Sequence, residues 1–263
     1  MTPNDPQATS QPSISFDRAV DYYDETRGFP PGTEAAVAAA IARAGNFQGT
    51  ERVVEIGVGT GRIALPVARL VSRYVGLDIS TAMMRRLLNK RHDQPVSVLE
   101  ADATHLPFTR YMFDGAVAVH IFHLIPAWQQ VLAELARVLK PNARLIHSWT
   151  TKDQAVDIEA ILKTHGGGRA HTVGVRGTNF LEEAGWQPVH EDTFTFSRHQ
   201  RPIEILDNMR ARVWSGTWHL SEEQLTASIA MLQQAIDERY PDPHAPVEVQ
   251  STFHAKAYLP PPA

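Results

Sequence analysis

Nine consecutive residues, Val54-Glu55-Ile56-Gly57-Val58-Gly59-Thr60-Gly61-Arg62, stand where an apolar run gives way to a helical pattern. Glycines at such a junction let the backbone turn tightly and let a ligand approach without meeting a Cβ. Seventeen residues past Gly61, Asp78 closes the next apolar run, where a carboxylate can accept from two ribose hydroxyls. Asp102 follows the third run; it can accept from an adenine amino group while the N–H of Ala103 reaches a ring nitrogen. A plainer alternative makes the glycines an ordinary turn and the two aspartates caps. It needs acidic residues near three consecutive strand ends to coincide by chance. A dinucleotide site is the competing functional reading. Against it, the spacing is G-x-G-x-G, not G-x-G-x-x-G, and Glu55 and Asp102 suit a less anionic nucleoside than a pyrophosphate.

The elements that must hold these residues alternate. Strands are read at Val53–Ile56, Tyr74–Leu77, Val96–Ala101, Gly115–Val119 and Leu145–Trp149, with helices between them. The fourth is apolar throughout, as a parallel strand covered on both faces should be. Trp128, Val131, Leu132, Leu135, Val138 and Leu139 form one helical stripe ended by Pro141-Asn142. Ile63, Val67, Leu70 and Val71 share a face of the first crossover helix, with Pro66 near its start. Phe16–Tyr23 and Glu34–Ala44 read as helices ahead of the sheet. After residue 150 come a helix over Asp153–Thr164, a flexible turn at Gly166–Gly168, a helix over Arg176–Ala184 and a strand over Val189–Phe196. The last strand, from Val247, alternates apolar and polar residues and is read as antiparallel. Between these two strands, helices over residues 202–240 form an insertion read as a lid. The whole is an α/β, Rossmann-like, doubly wound sheet. Residues 1–13 read as a disordered tail and 14–263 as a single domain, with a cofactor-binding half (14–150) and a substrate half (151–263).

Composition narrows the function. The chain has 263 residues, a formal charge of −4 and no cysteine. Absence of cysteine excludes a disulfide framework, thiolate catalysis and sulfur-ligated metal centres. A slightly acidic chain weighs against nucleic acid as partner. No apolar stretch reaches the length of a membrane span, and no signal peptide is evident at the N-terminus, so the expectation is a cytoplasmic protein.

On these residues the chain resembles the class I S-adenosylmethionine-dependent methyltransferases, of the small-molecule type similar to ubiquinone and menaquinone biosynthesis enzymes. The matching stretches are Phe16-Asp17-Arg18 with Tyr23-Asp24, Val54 to Arg62, Gly76 to Ser80, Ala101-Asp102-Ala103 with Leu106-Pro107-Phe108, Phe113-Asp114, and Arg137 to Pro141. The resemblance implies a seven-stranded sheet with an antiparallel last strand, S-adenosylmethionine as cofactor and a small-molecule acceptor. It implies that Glu55, Gly57 and Gly59 line the methionine part, with Val58 also at the cofactor, that Asp78 holds the ribose with Ile79 and Met83 beside the adenosine, and that Asp102 and Ala103 take the adenine edge. Tyr23 and Arg27 would reach the cofactor carboxylate or the substrate. Two departures stand out: Asn142-Ala143 replaces a Gly-Gly turn, and Arg110 replaces a common acidic residue.

Methyl transfer needs chiefly alignment and exclusion of water, with a base only where the acceptor must lose a proton. His120 and His123 are the candidates for that base; the plainer reading makes His120 a cofactor contact and His123 packing under the loop before Trp128. A metal site from His120, His123 and His147 lacks a carboxylate and the usual spacing, and no metal is expected. Arg85, Arg86, Lys90 and Arg91 are read as a solvated helix face. Trp214, Trp218 and His219 suit either an apolar acceptor or the insertion's own core. An RNA-modifying methyltransferase, an NAD(P)-dependent oxidoreductase and a non-catalytic S-adenosylmethionine-binding protein remain alternatives.

Overall fold

The computed structural model describes residues 13–153, 156–166 and 179–262. Apart from Ser13, the N-terminal tail lies outside the described residues. So do Gly167, Gly168 and residues 176–178 of the helix read from Arg176.

Seven strands form one sheet: β1 (Arg52–Ile56), β2 (Arg73–Asp78), β3 (Val96–Glu100), β4 (Phe113–Val119), β5 (Leu139–Lys152), β6 (Gln187–Gln200) and β7 (Val247–Leu259). Their order is β3-β2-β1-β4-β5-β7-β6; the pairs from β3 to β5 are parallel and the last strands antiparallel. The chain reverses its direction of travel between β1 and β4. In an open α/β sheet the crevice beyond the strand C-termini at that reversal is where ligands bind.

The helices are α1 (Tyr23–Arg27), α2 (Glu34–Gly45), α3 (Ala64–Val67), α4 (Thr81–Lys90), α5 (Trp128–Val138), α6 (Ile158–Thr164), α7 (Phe180–Glu183), α8 (Pro202–Arg210) and α9 (Glu222–Arg239). The α5 stripe is realised: Trp128, Val131, Leu132, Leu135 and Val138 are all buried, with Phe113 and Tyr258 in the same core. Each such side chain contributes roughly 1.5–3 kcal/mol of burial. Asn142 adopts φ +66°, the left-handed conformation that glycine usually takes there.

Three sequence expectations are corrected. Residues 16–23 do not make one helix: a 3₁₀ turn at Asp17–Ala19 precedes α1, and the Phe16 and Tyr23 rings meet edge to face at 5.7 Å. The first crossover helix is only α3 followed by a 3₁₀ turn, Ala68–Leu70, so Leu70 is exposed and not on a buried face. Pro66 sits inside this shortened helix, where it supplies no backbone N–H. β5 starts directly after α5, six residues before the expected strand, with a register irregularity against β4.

The chain divides into two compact units. One gathers the described residues of Met1–Thr150, Gly174–Phe194 and Phe253–Ala263; the other those of Thr151–Val173 and Thr195–Thr252. The second has its own core of Val156, Leu162, Leu206, Met209, Leu232 and Ile236, with Trp214 packed against it. Its longest helix, α9, starts with a capping box between Ser221 and Gln224. Among the described residues no helix is long and apolar enough to cross a membrane.

Candidate functional site

The site is built at the ends of β1, β2 and β4. Beyond β1 the backbone passes through Gly57 (φ +69°), Gly59 (φ +53°) and Gly61 (φ +79°). A Cβ at Gly57 would lie 2.4 Å from Ile121, and one at Gly61 2.5 Å from Leu87, so these two glycines serve packing within the chain. Of the three, only at Gly59 would a Cβ meet nothing within 4 Å. That face is open to a ligand.

Asp78 ends β2 with both carboxylate oxygens already engaged. Oδ2 accepts the Gly59 N–H at 2.8 Å and Oδ1 the Ser80 N–H at 2.9 Å. Burial raises its pKa, opposed by those N–H groups. The carboxylate therefore ties the glycine turn to the end of β2 and the start of α4, and each oxygen keeps a lone pair. Asp102 accepts the Thr104 N–H at 2.9 Å through Oδ1, so it caps its loop as well as facing the cleft.

The cleft between these loops holds about 710 Å³ of space, part of it open to solvent, within the usual range of small-ligand sites, roughly 300–1,000 Å³. Of the expected site residues it is lined by Tyr23, Gly57, Gly59, Asp78, Ile79, Met83, Asp102, Ala103 and His120. Ile79 is 38% exposed there, an apolar surface facing the opening. The N-terminal segment adds Ser13, Ile14 and Phe16, and the loop after β4 adds Ile121, Leu124 and Ile125.

His120 follows β4 with φ +51°, rare for a residue with a side chain. Its N–H donates to the Ser148 carbonyl at 3.1 Å, and its Nε2 lies 3.2 Å from Thr150 Oγ1. Backbone strain of this kind collects at functional positions.

Four expected site residues lie outside the lining. Glu55 is 2% exposed and accepts from the Tyr74 hydroxyl at 2.8 Å; burial pushes its pKa up to about 8, with the Tyr74 hydrogen bond opposing. Its side chain belongs to the covered face of the sheet. Val58 is buried against the Cα of Gly76, and its N–H donates to the Leu77 carbonyl. Arg27 contributes its carbonyl, which accepts from Arg62 Nη1 at 2.9 Å. His123 lies in the 3₁₀ turn Phe122–Leu124. His147 is buried among the rings of Phe122, Trp149 and Phe180, and burial pulls its pKa down to about 4.

Sequence reasoning missed Asp24. It accepts from Thr60 Oγ1 at 2.5 Å and from Lys90 Nζ at 2.8 Å, with Arg86 Nε at 3.7 Å. The neighbouring Asp17 accepts from the Ser80 hydroxyl. Two members of the supposed solvated helix face, Arg86 and Lys90, thus fasten α1 beside the cleft. Burial would raise the Asp24 pKa, but Lys90, Thr60 and Arg86 hold it below the ordinary value. A third member, Arg91, donates to the Val96 carbonyl at 2.7 Å. An acidic residue directly after Tyr23 was the available signal.

A family model described as a methyltransferase domain matches residues 54–147. A phthiotriol/phenolphthiotriol dimycocerosates methyltransferase of Mycobacterium leprae (strain TN) is 33% identical over 101 residues, 37% of each chain. A demethylmenaquinone methyltransferase of Clavibacter sepedonicus is 31% identical over 141 residues, 52% of this chain and 56% of that one. The chain thus spans between about a third and a little over half of these curated relatives' lengths. Among solved structures, a Haemonchus contortus phosphoethanolamine N-methyltransferase 2 bound to S-adenosyl-L-methionine superposes with TM-score 0.55 at 18% identity, covering 94% of this chain and 57% of that one. The [4+2]-cyclase SpnF superposes with TM-score 0.53 at 17% identity, covering 87% and 81%. Likeness at this level carries the fold, not the reaction. Residues 54–147 thus match a methyltransferase-domain model, and the chain shares the Rossmann-like fold of these solved structures.

Proposed function

We propose that the chain transfers a methyl group from S-adenosylmethionine to an apolar small molecule. What supports this most is the charge of the cleft: among the described residues its lining includes the carboxylates of Asp78 and Asp102 and neither Lys nor Arg. A dinucleotide diphosphate would face two carboxylates there, without a neutralising cation. The helix following the glycine turn is also only four residues long, which leaves little dipole to hold an anion. A cofactor bearing an ammonium and a sulfonium has the complementary charge. The open face of Gly59, the spare lone pairs of Asp78 and the exposed Ile79 fit its nucleoside.

When bound, S-adenosylmethionine supplies a methyl group on a sulfonium, an already activated leaving group. The residues then have limited tasks. Asp78 accepts from the ribose hydroxyls, while Asp102 and the Ala103 N–H take the adenine edge. Phe16, Tyr23, Ile14, Leu124 and Ile125 exclude water and offer an apolar surface to the acceptor. For an acceptor that must lose a proton, His120 Nε2 receives it, and its neighbour Thr150 Oγ1 orients the ring. Acceptor choice is assigned to residues 151–263, which lie outside the matched domain. The names of the phthiotriol/phenolphthiotriol dimycocerosates and demethylmenaquinone methyltransferases it resembles support an apolar acceptor.

Incubation of the chain with methyl-labelled S-adenosylmethionine and a metabolite extract tests this. A labelled apolar product is the expected result. Binding of reduced nicotinamide cofactor without binding of S-adenosylmethionine would sink the proposal, and donor binding without any labelled product would leave a binding protein only.

A further inference from the structure

At the opposite end of the sheet, β1 and β2 begin with Arg52 and Arg73, and their parallel register sets these two arginines side by side. Like charges on adjacent strands repel. The groove they edge is also lined by Arg110 and Lys140. Among the described residues its one carboxylate is Asp114, which accepts from Lys140 Nζ at 2.6 Å and from the Arg52 backbone N–H at 2.9 Å. Glu51, beside Arg52 in sequence, spends its carboxylate on the N–H groups of Gln48 and Gly49. Among the described residues, the guanidiniums of Arg73 and Arg110 make no ion pair, and that of Arg52 has only a longer-range attraction to Asp114. Four cations thus converge against one carboxylate on a chain whose net charge is −4.

The groove has about 1110 Å³ of space open to solvent, and its rim carries the hydroxyls of Thr50 and Thr109. Tyr111 is 42% exposed, held at φ +59°, with the Arg110 guanidinium 5.5 Å from its ring centre. Guanidinium forks match phosphate oxygens two at a time, and an exposed aromatic face suits a base. From Arg52 to Gly57 is five residues of strand, about 16 Å, so this groove and the donor cleft are separate.

We propose that the groove binds a diphosphate group, free or as part of a nucleotide, through Arg52, Arg73, Arg110 and Lys140. The proposal does not depend on the methyl-transfer reading, and its failure would leave that reading intact.

The test is calorimetric titration of the full chain with inorganic pyrophosphate and with ADP, at low ionic strength and with S-adenosylmethionine present. Both probes should bind, and the R73Q/R110Q variant should bind at least tenfold more weakly with an unchanged circular dichroism spectrum. Should the double variant not fold, Arg110→Gln, in an exposed loop, should still weaken binding at least threefold. Tighter binding of ADP than of pyrophosphate would assign the Tyr111 ring to a base; equal binding would assign the groove to free diphosphate. No binding of either probe, or unchanged affinity in R73Q/R110Q (in R110Q if the pair does not fold), overturns the proposal.

Discussion

Asp78 carries two duties at once, since it holds the glycine turn by the Gly59 N–H and faces the cleft. Asp78→Ala should therefore weaken donor binding by more than ~1 kcal/mol, the cost of removing a charged hydrogen-bond partner. Asp78→Asn should lose less, because the amide oxygen still accepts one N–H. Calorimetry on both variants separates the duties; unchanged affinity in Asp78→Ala would remove the ribose assignment. His120 invites a different comparison. As a proton acceptor, its loss in His120→Ala should slow transfer more than it weakens donor binding, measured as kcat against Kd. His120→Gly should lose the same chemistry yet be more stable than the alanine variant by about 1 kcal/mol, because φ +51° costs glycine nothing. Equal losses of rate and affinity would make His120 a cofactor contact.

At the scale of elements, the fastening of α1 is the feature with the clearest consequence. Asp24 joins α1 to Thr60 of the glycine turn and to Lys90 and Arg86 of α4. Asp24→Asn and Thr60→Val should each speed donor release several-fold in stopped-flow measurements, and the double variant should be little worse than either alone. Strict additivity would show that the two side chains act apart. This link also marks the limit of what sequence can reveal. The α5 stripe was legible because a helix covered on one side repeats its apolar positions every three or four residues. The β7 alternation was legible for the matching reason in a half-exposed strand. Glu55 was not, since β1 is covered on both faces and its pattern does not say which way a side chain points. Arg86 and Lys90 read as a solvated face because their partner, Asp24, lies more than 60 residues earlier in the chain. Asp78 and Asp102 were readable as cleft residues from their places at strand ends. Their hydrogen bonds to Gly59 and Thr104 depend on loop conformation and were not.

Over the whole molecule, two buried titratable groups pull stability in opposite directions with pH. Glu55 has its pKa raised to about 8 by burial, so the native state holds its proton longer than the unfolded one. Its contribution is fully present below pH 4.5, the ordinary value, and is lost as pH rises towards 8. His147 is pulled down to about 4 from 6.5, so its contribution is present above 6.5 and lost as pH falls towards 4. Between about 4.5 and 6.5 the two slopes oppose each other, and from 6.5 to 8 only the Glu55 loss remains. Glu55→Gln, which keeps an acceptor for Tyr74, should gain stability over the parent as pH rises to 8, on the order of a few kcal/mol. His147→Phe should gain instead as pH falls below 6.5. Denaturant melts across this range check both, and difference curves of the same sign would refute the assignment. The tie made by Asp78 has an evolutionary side as well. Because the carboxylate proposed to meet the cofactor also closes the turn, substituting that residue alone would not suffice for a change of cofactor. The loop would have to be rebuilt in the same step, so on the proposed function descendants of this chain would be freer to acquire new acceptors than a new donor.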